Sequence, residues 1–292
     1  MSAATPMAGR FRAAVVQLRC GRAVGPNLDA VEAFVHQAAA GGADIVFTPE
    51  NTTLMELSTK RLFAAVEPQE GNSALARLTT LARAAGCWLH VGSMAVLVAP
   101  DKVANRSMLI APDGALVATY DKIHMFDVDL PGGESYRESK NYRPGRKAVL
   151  VELPWGRMGF TTCYDLRFPA LYRALAQAGA QFITAPSAFT QVTGEAHWHI
   201  LVRARAIETG CFLIAAAQGG LHENGRATYG HSLVVSPWGE IVAEAIDEPG
   251  VIYADIDLGE VARVRARIPS LKHDAAFEVE AVDGVGGLRE AS

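Results

Sequence analysis

The chain has 292 residues, half of them hydrophobic and 20% charged, which allows one large domain or two ordinary ones around a sizeable core. A net charge of −4, from 31 acidic and 27 basic residues, argues against a general nucleic-acid binder. No apolar run approaches membrane-spanning length, and Met1-Ser2-Ala3-Ala4-Thr5-Pro6 lacks a charged-then-apolar leader pattern. The four cysteines, Cys20, Cys87, Cys163 and Cys211, form no C-x-x-C pair, so neither a zinc knuckle nor a disulfide framework is indicated. A reducing, cytoplasmic setting without a membrane partner is expected.

Residues Phe11–Leu18 read as a buried strand, and Asn27–Ala40 as a helix with Leu28, Val31, Val35 and Ala38 on one stripe. Ala43–Phe47 is the next strand and runs into Thr48-Pro49-Glu50. Ser73–Ala85 is a second helix; Cys87–Ser93, Asn105–Ala111 and Leu116–Tyr120 are strands, with a turn at Pro112-Asp113-Gly114. Asp121–Gly145 lacks periodicity and reads as a long loop, a common home for function. The pattern then repeats. Ala148–Leu153, Arg157–Cys163, Gln181–Pro186, Cys211–Ala217, His231–Ser236, Glu240–Ala245 and Val251–Ile256 are strands; Leu171–Ala178, His197–Glu208 and a short stretch near Leu258–Arg267 are helical. Two successive strand-helix-strand-helix-strand halves predict an α/β fold of two sheets covered by helices, and no linker divides them. Residues 1–10 and 278–292 are expected to be tails around one domain spanning 11–277.

Within Gly159-Phe160-Thr161-Thr162-Cys163-Tyr164-Asp165-Leu166-Arg167-Phe168-Pro169 an apolar run ends at a cysteine and a helix begins near the proline. Cys163 is therefore expected on a sharp strand-to-helix turn, where free N–H groups and the helix N-terminus lower a thiol pKa. It is either a nucleophile or a small buried hydrophobe. Glu50 sits just past a strand, where a carboxylate suits acid/base work, although a surface or capping acid is the blander reading. Lys122, where a strand enters the long loop, is either an oxyanion-stabilising cation or an ordinary exposed lysine. His124 competes with Glu50 as the partner of Cys163. Of Glu134 and Glu138, one is a catalytic candidate and the other solvated. His197-Trp198-His199 has the wrong helical spacing for a metal site, and Arg203, Arg205 and Glu208 read as an ion-pair network.

Taken together, Thr48-Pro49-Glu50, Tyr120-Asp121-Lys122-Ile123-His124 and Cys163-Tyr164-Asp165-Leu166-Arg167-Phe168-Pro169 resemble the three signature segments of the nitrilase (carbon–nitrogen hydrolase) superfamily, in the family's order. Pro186-Ser187-Ala188-Phe189, Arg203-Ala204-Arg205-Ala206-Ile207-Glu208 and Tyr229-Gly230-His231-Ser232 extend the likeness, which runs from about Phe11 to about Phe277. The string after Cys163 resembles the Nit amidase branch, which includes omega-amidases and deaminated-glutathione amidases. The resemblance implies a four-layer α-β-β-α sandwich, a homodimer or higher homo-oligomer, and neither metal nor organic cofactor. It also implies a cysteine-dependent amidase that turns a small carboxylate-bearing amide into acid and ammonia through a thioester. In that scheme Cys163 attacks, Glu50 is the base, and Lys122 with the Tyr164 N–H holds the oxyanion. Glu138 matches the family's second glutamate, Glu134 has no role, and Arg167 meets the substrate carboxylate or a structural acid. An N-carbamoyl amino acid hydrolase with the same triad and a non-catalytic binding or scaffold protein are the alternatives.

Overall fold

The computed structural model describes residues 9–131 and 133–281. Most of each expected tail, residues 1–8 and 282–292, lies outside the described residues.

Strand β1 (Arg10–Gln17) shows how the layers arise. Its run FRAAVVQ is apolar on both faces: Ala14 and Val16 enter one core while Ala13 and Val15 enter another. A strand buried on both sides reads as a continuous hydrophobic run rather than an alternating one. The chain continues through α1 (Val24–Ala40), β2 (Ile45–Phe47), α2 (Thr59–Ala65), α3 (Ser73–Ala85), β3 (Trp88–Ala99), β4 (Lys102–Ile110) and β5 (Leu116–Asp121). A small hairpin follows, β6 (Asp127–Asp129) with β7 (Ser135–Arg137). The second half holds β8 (Leu150–Leu153), β9 (Gly156–Phe160), α4 (Pro169–Gln177), β10 (Phe182–Thr184), α5 (Gln191–Thr209) and β11 (Phe212–Ala215). It closes with β12 (Gly219–Leu221), β13 (Ala227–Tyr229), β14 (Leu233–Val235), β15 (Ile241–Glu244), β16 (Gly250–Asp257) and α6 (Gly259–Arg267).

Among the described residues two six-stranded sheets form, ordered β16-β1-β2-β3-β4-β5 and β15-β14-β11-β10-β9-β8. Phe11, Phe47 and Tyr120 of the first sheet meet Phe160, Phe182 and Phe212 of the second in a central core. Helices α1 and α3 bury Val31, Val35 and Leu78 on the outer face of the first sheet. Helices α4 and α5 bury Tyr172, Leu175, Trp198 and Val202 on the outer face of the second. The result is the four-layer α-β-β-α sandwich expected.

The parallel pairs β1/β2, β2/β3, β9/β10 and β10/β11 point their carboxyl ends towards one region. Ligands gather at such ends in α/β sheets. Gly92, on β3 beneath this region, has no room for a Cβ, which would collide with the Thr48 carbonyl and Pro186. Only glycine lets the two carboxyl-end segments approach so closely.

Several boundaries differ from expectation. The expected strands Cys87–Ser93 and Asn105–Ala111 are halves of one long hairpin, β3/β4, which pairs out to Ala99↔Lys102. Helix α5 begins at Gln191, six residues before His197, because the Thr190 hydroxyl caps it by accepting from the Thr193 N–H. The stretch expected to be a loop, Asp121–Gly145, contains β6, β7 and a 3₁₀ turn at Glu138–Lys140. Helix α2 and the β12/β13 hairpin were not expected, and β16 returns to pair antiparallel with β1 in the first sheet.

Candidate active site

Strand β2 ends at Phe47, and Pro49 delivers Glu50 into the interior, where it is 4% exposed. Its Oε1 accepts from Asn105 Nδ2 at 2.8 Å and from Lys122 Nζ at 3.0 Å. Its Oε2 accepts from the Ala188 N–H at 3.0 Å. Lys122 follows β5, and its ammonium also reaches Glu138 Oε2 at 2.8 Å and Oε1 at 3.1 Å. Glu138 stands on the 3₁₀ turn and additionally accepts from the Phe126 N–H at 2.6 Å. Asn105 Nδ2 spans both acids, 3.2 Å from Glu138 Oε1.

Cys163 follows β9 at the first position of a 3₁₀ turn, with its side chain 6% exposed. Its φ of 50° lies in the left-handed region, as does that of Asn51 (59°), the residue after Glu50. Strained backbone of this kind clusters at functional sites. The Cys163 N–H donates to the Pro186 carbonyl at 2.9 Å, which ties the turn to the segment carrying Ala188. The thiol and the Glu50 carboxylate line the same cleft, close enough for the charge of the acid to act on the sulfur. The Tyr164 N–H lies in the first turn of the short helix, where N–H groups lack intrahelical partners.

Glu50, Lys122, Cys163 and Glu138 thus converge, although they are far apart in sequence. They line one cleft of about 260 Å³.

The electrostatics correct one expectation. Burial and the Glu50 charge push the Cys163 thiol well above its ordinary value, and the opposing pull of Lys122 does not offset them. The resting sulfur is therefore a neutral thiol, not the helix-stabilised thiolate that the turn suggested. Burial disfavours the Glu50 carboxylate as well. The Lys122 charge, hydrogen bonds from Cys163 and Lys122, and the Arg226 charge outweigh that, and Glu50 titrates below its usual range. Burial likewise opposes the Lys122 ammonium, but Glu138 and Glu50 raise its pKa well above normal.

His124 is engaged elsewhere. Its Nδ1 lies 2.7 Å from Asp165 Oδ1, and its ring stacks on Phe168 with centroids 3.5 Å apart. Asp165 is fully buried; it also accepts from the His124 N–H, from the Tyr120 hydroxyl at 2.6 Å and from the Thr162 N–H at 2.9 Å. Glu50, rather than His124, faces the thiol. Glu134 is exposed, and its carboxylate accepts from the Tyr136 hydroxyl at 3.0 Å.

Arg167 lines a narrow recess on another side of Cys163, together with Phe126, Tyr164, Phe189, Thr190 and Thr193. Its guanidinium lies over the Phe189 and Tyr164 rings and 3.3 Å from His197 Nδ1. It has no carboxylate partner among the described residues, so the ion-pair alternative is not formed. His197, Trp198 and His199 diverge, towards Arg167, the His231 carbonyl and Glu244 respectively. Arg205 pairs with Glu208 at 2.9 Å, but Arg203 donates instead to the Gly239 carbonyl, so the expected three-member network reduces to one pair.

Asn105, the Ala188 N–H and Arg226 are site groups that the sequence reading missed. Asn105 carried a signal, as a polar residue inside the apolar strand KVANRSMLI. Arg226 arrives on the β12/β13 hairpin, donates to the Ala188 carbonyl and lies 5.2 Å from the centre of the Tyr136 ring.

Comparison with known proteins places this geometry in context. The family profile described as Carbon-nitrogen hydrolase matches residues 12–266. The deaminated glutathione amidase of Yersinia enterocolitica is 40% identical over 264 residues, covering 89% of this chain and 92% of that protein. The human deaminated glutathione amidase is 42% identical over 252 residues, covering 85% of this chain and 77% of that protein. The crystal structure of Saccharomyces cerevisiae Nit3, a member of the nitrilase superfamily, superposes with a TM-score of 0.82 at 30% identity, covering 93% of this chain and 99% of that one.

Proposed function

This chain belongs to the carbon–nitrogen hydrolase family and is a hydrolase of C–N bonds, and on that premise we propose that it cleaves the side-chain amide of a small acid through Cys163. The observation that carries the reading is the convergence of a buried thiol, a carboxylate and an ammonium on one cleft. Such a set matches acyl transfer through a covalent intermediate.

In this scheme the Cys163 sulfur adds to the amide carbon while Glu50 takes the thiol proton. A neutral thiol beside an ionised carboxylate needs that transfer at the moment of attack. Lys122 and the Tyr164 N–H stabilise the oxyanion. The C–N bond then breaks, the nitrogen takes the proton from Glu50, and an amine leaves a thioester behind. Glu50 next accepts a proton from water as its oxygen adds to the thioester, and collapse releases the acid and restores the thiol. Glu138 and Asn105 keep Lys122 and Glu50 in place.

Deaminated glutathione is the proposed substrate, on the strength of the relatives' names, with Arg167 receiving the acyl carboxylate. The ammonia expected above applies to a primary ω-amide; a peptide amide releases a peptide amine instead. Measuring acid and amine release from deaminated glutathione, α-ketoglutaramate and an N-carbamoyl amino acid tests the reading. Turnover of the last, with carbon dioxide, would displace it.

A homo-oligomer in a reducing compartment is proposed as well. Ile207, Trp238 and Ile268 are half exposed around one apolar recess, and the four cysteines are free. No described helix is long and apolar enough to cross a membrane. Sedimentation at micromolar concentration tests the assembly: a monomer would remove that part.

A further inference from the structure

The wall of the cleft holds a hydroxyl that no described residue uses. Tyr142 follows the 3₁₀ turn of Glu138, and its N–H donates to the Glu138 carbonyl at 2.9 Å. A bridge to Val103 fixes its backbone, and its ring packs with Leu54, Leu62 and Val103. The residue lines the cleft that also holds Cys163, Glu50 and Lys122. Its hydroxyl has no hydrogen-bond partner among the described residues, a state shared with Tyr164 and Tyr229, whereas Tyr120, Tyr136, Tyr172 and Tyr253 use theirs. A phenol set into a protein wall normally finds a partner, and phenylalanine would fill this packing equally well. Burial first, and then the Glu138 and Glu50 charges, raise the phenol's pKa, so it keeps its proton and stands in the cleft lining as a neutral donor.

We propose that Tyr142 is a specificity residue whose hydroxyl donates to a carbonyl or carboxylate carried on the nitrogen side of the scissile amide. This rests on the amidase reading and deepens it. In that reading Glu50 must return a proton to the leaving nitrogen, so the nitrogen faces Glu50 and its substituent extends along the cleft that Glu50 lines. The recess of Arg167 measures about 10 Å³, the room of a single water, so the acyl chain shares the cleft and its carboxylate end lies towards Arg167. A water-sized leaving group such as ammonia needs about 10–15 Å³, and the cleft offers about 260 Å³. The fitting ligand is an amide whose nitrogen bears an amino-acid-like group.

The test compares wild type with Tyr142→Phe on two amides of one dicarboxylic acid, a primary amide and an amide formed with a dipeptide. The ratio of kcat/KM for the peptide amide to that for the primary amide is expected to fall roughly 3- to 10-fold, the worth of one neutral hydrogen bond. The loss should appear mainly in KM. The melting temperature should stay within a degree or two, because the hydroxyl has no partner to lose. An unchanged ratio, with or without a common loss on both substrates, would overturn the assignment to the nitrogen side. Failure of the wild type on both amides would instead remove the amidase reading itself.

Discussion

The Ala188 N–H donates to Glu50 Oε2 at 3.0 Å, joining residues 138 positions apart. Glu50 follows a strand of the first sheet, and Ala188 follows a strand of the second. The carboxylate is therefore held by both sheets at once, with Lys122 and Asn105 on one oxygen and Ala188 on the other. A base fixed on two rigid layers loses little orientation in meeting a thiol, which is what proximity catalysis requires.

Glu50→Gln separates the proposed base from the proposed oxyanion machinery. Turnover is expected to fall by about 10²–10⁴-fold, the range for a lost general base. The thiol should behave in the opposite sense. Burial and Glu50 raise the Cys163 pKa and Lys122 lowers it, so removing the acid leaves burial alone to oppose Lys122 and brings the thiol pKa down. Iodoacetamide should then alkylate Cys163 faster at neutral pH in the variant than in wild type. Slower alkylation would mean that Glu50 activates the resting thiol and that the neutral pair is wrong.

The pH profile follows from the same charges. The proposed mechanism needs ionised Glu50, whose pKa is depressed in the fold, so the acid limb of kcat/KM should lie below the ordinary glutamate value of about 4.3. In Lys122→Met the limb should move to higher pH, because the chief opposing charge is gone. The linkage to stability has a definite sign. A depressed folded pKa contributes stability above the unfolded value and loses it as pH falls through the folded one. An acid limb that stays in place in folded Lys122→Met would contradict this account.

Part of this site was legible because punctuation marks it. Glu50, Lys122 and Cys163 each stand where an expected strand stops, with Pro49 beside Glu50 and Pro169 at the start of the helix after Cys163. The Ala188 N–H was not legible, since a backbone donor leaves no trace in residue type. Nor was the β6/β7 hairpin: its strands Asp127–Asp129 and Ser135–Arg137 are three residues long and mostly polar, too short for a periodicity to show. His124 was ambiguous because sequence gives proximity along the chain, not direction. Only the fold turns its ring onto Asp165. The thiol's charge state was misread because burial, which raises its pKa, outweighs the turn's dipole.

That orientation sets a contrast between His124 and Asp165. His124→Ala should retain turnover within about tenfold, since the imidazole touches neither the Cys163 thiol nor the Glu50 carboxylate. Asp165→Ala should lower unfolding free energy by about 2–4 kcal/mol, because the Tyr120 hydroxyl and the Thr162 and His124 N–H groups lose a buried acceptor together. Denaturant unfolding measures the second effect and steady-state kinetics the first. Complete loss of activity in a folded His124→Ala protein would restore the histidine as base.

The backbone at Cys163 offers a test independent of substrate. A non-glycine residue in the left-handed region carries a cost of roughly 1–2 kcal/mol, and Cys163 sits there at a φ of 50°. Cys163→Ala should abolish amide hydrolysis while keeping that cost. Cys163→Gly should abolish it too but relieve the strain, against about 0.5–1 kcal/mol of extra chain entropy for glycine. Both variants lose the same buried sulfur, so the comparison cancels its packing to within one methyl group. Glycine is expected to come out ahead by about 0.5–1 kcal/mol in thermal or denaturant unfolding. An alanine variant as stable as the glycine variant would mean that the turn imposes no strain on its cysteine, and that its left-handed geometry costs nothing to hold.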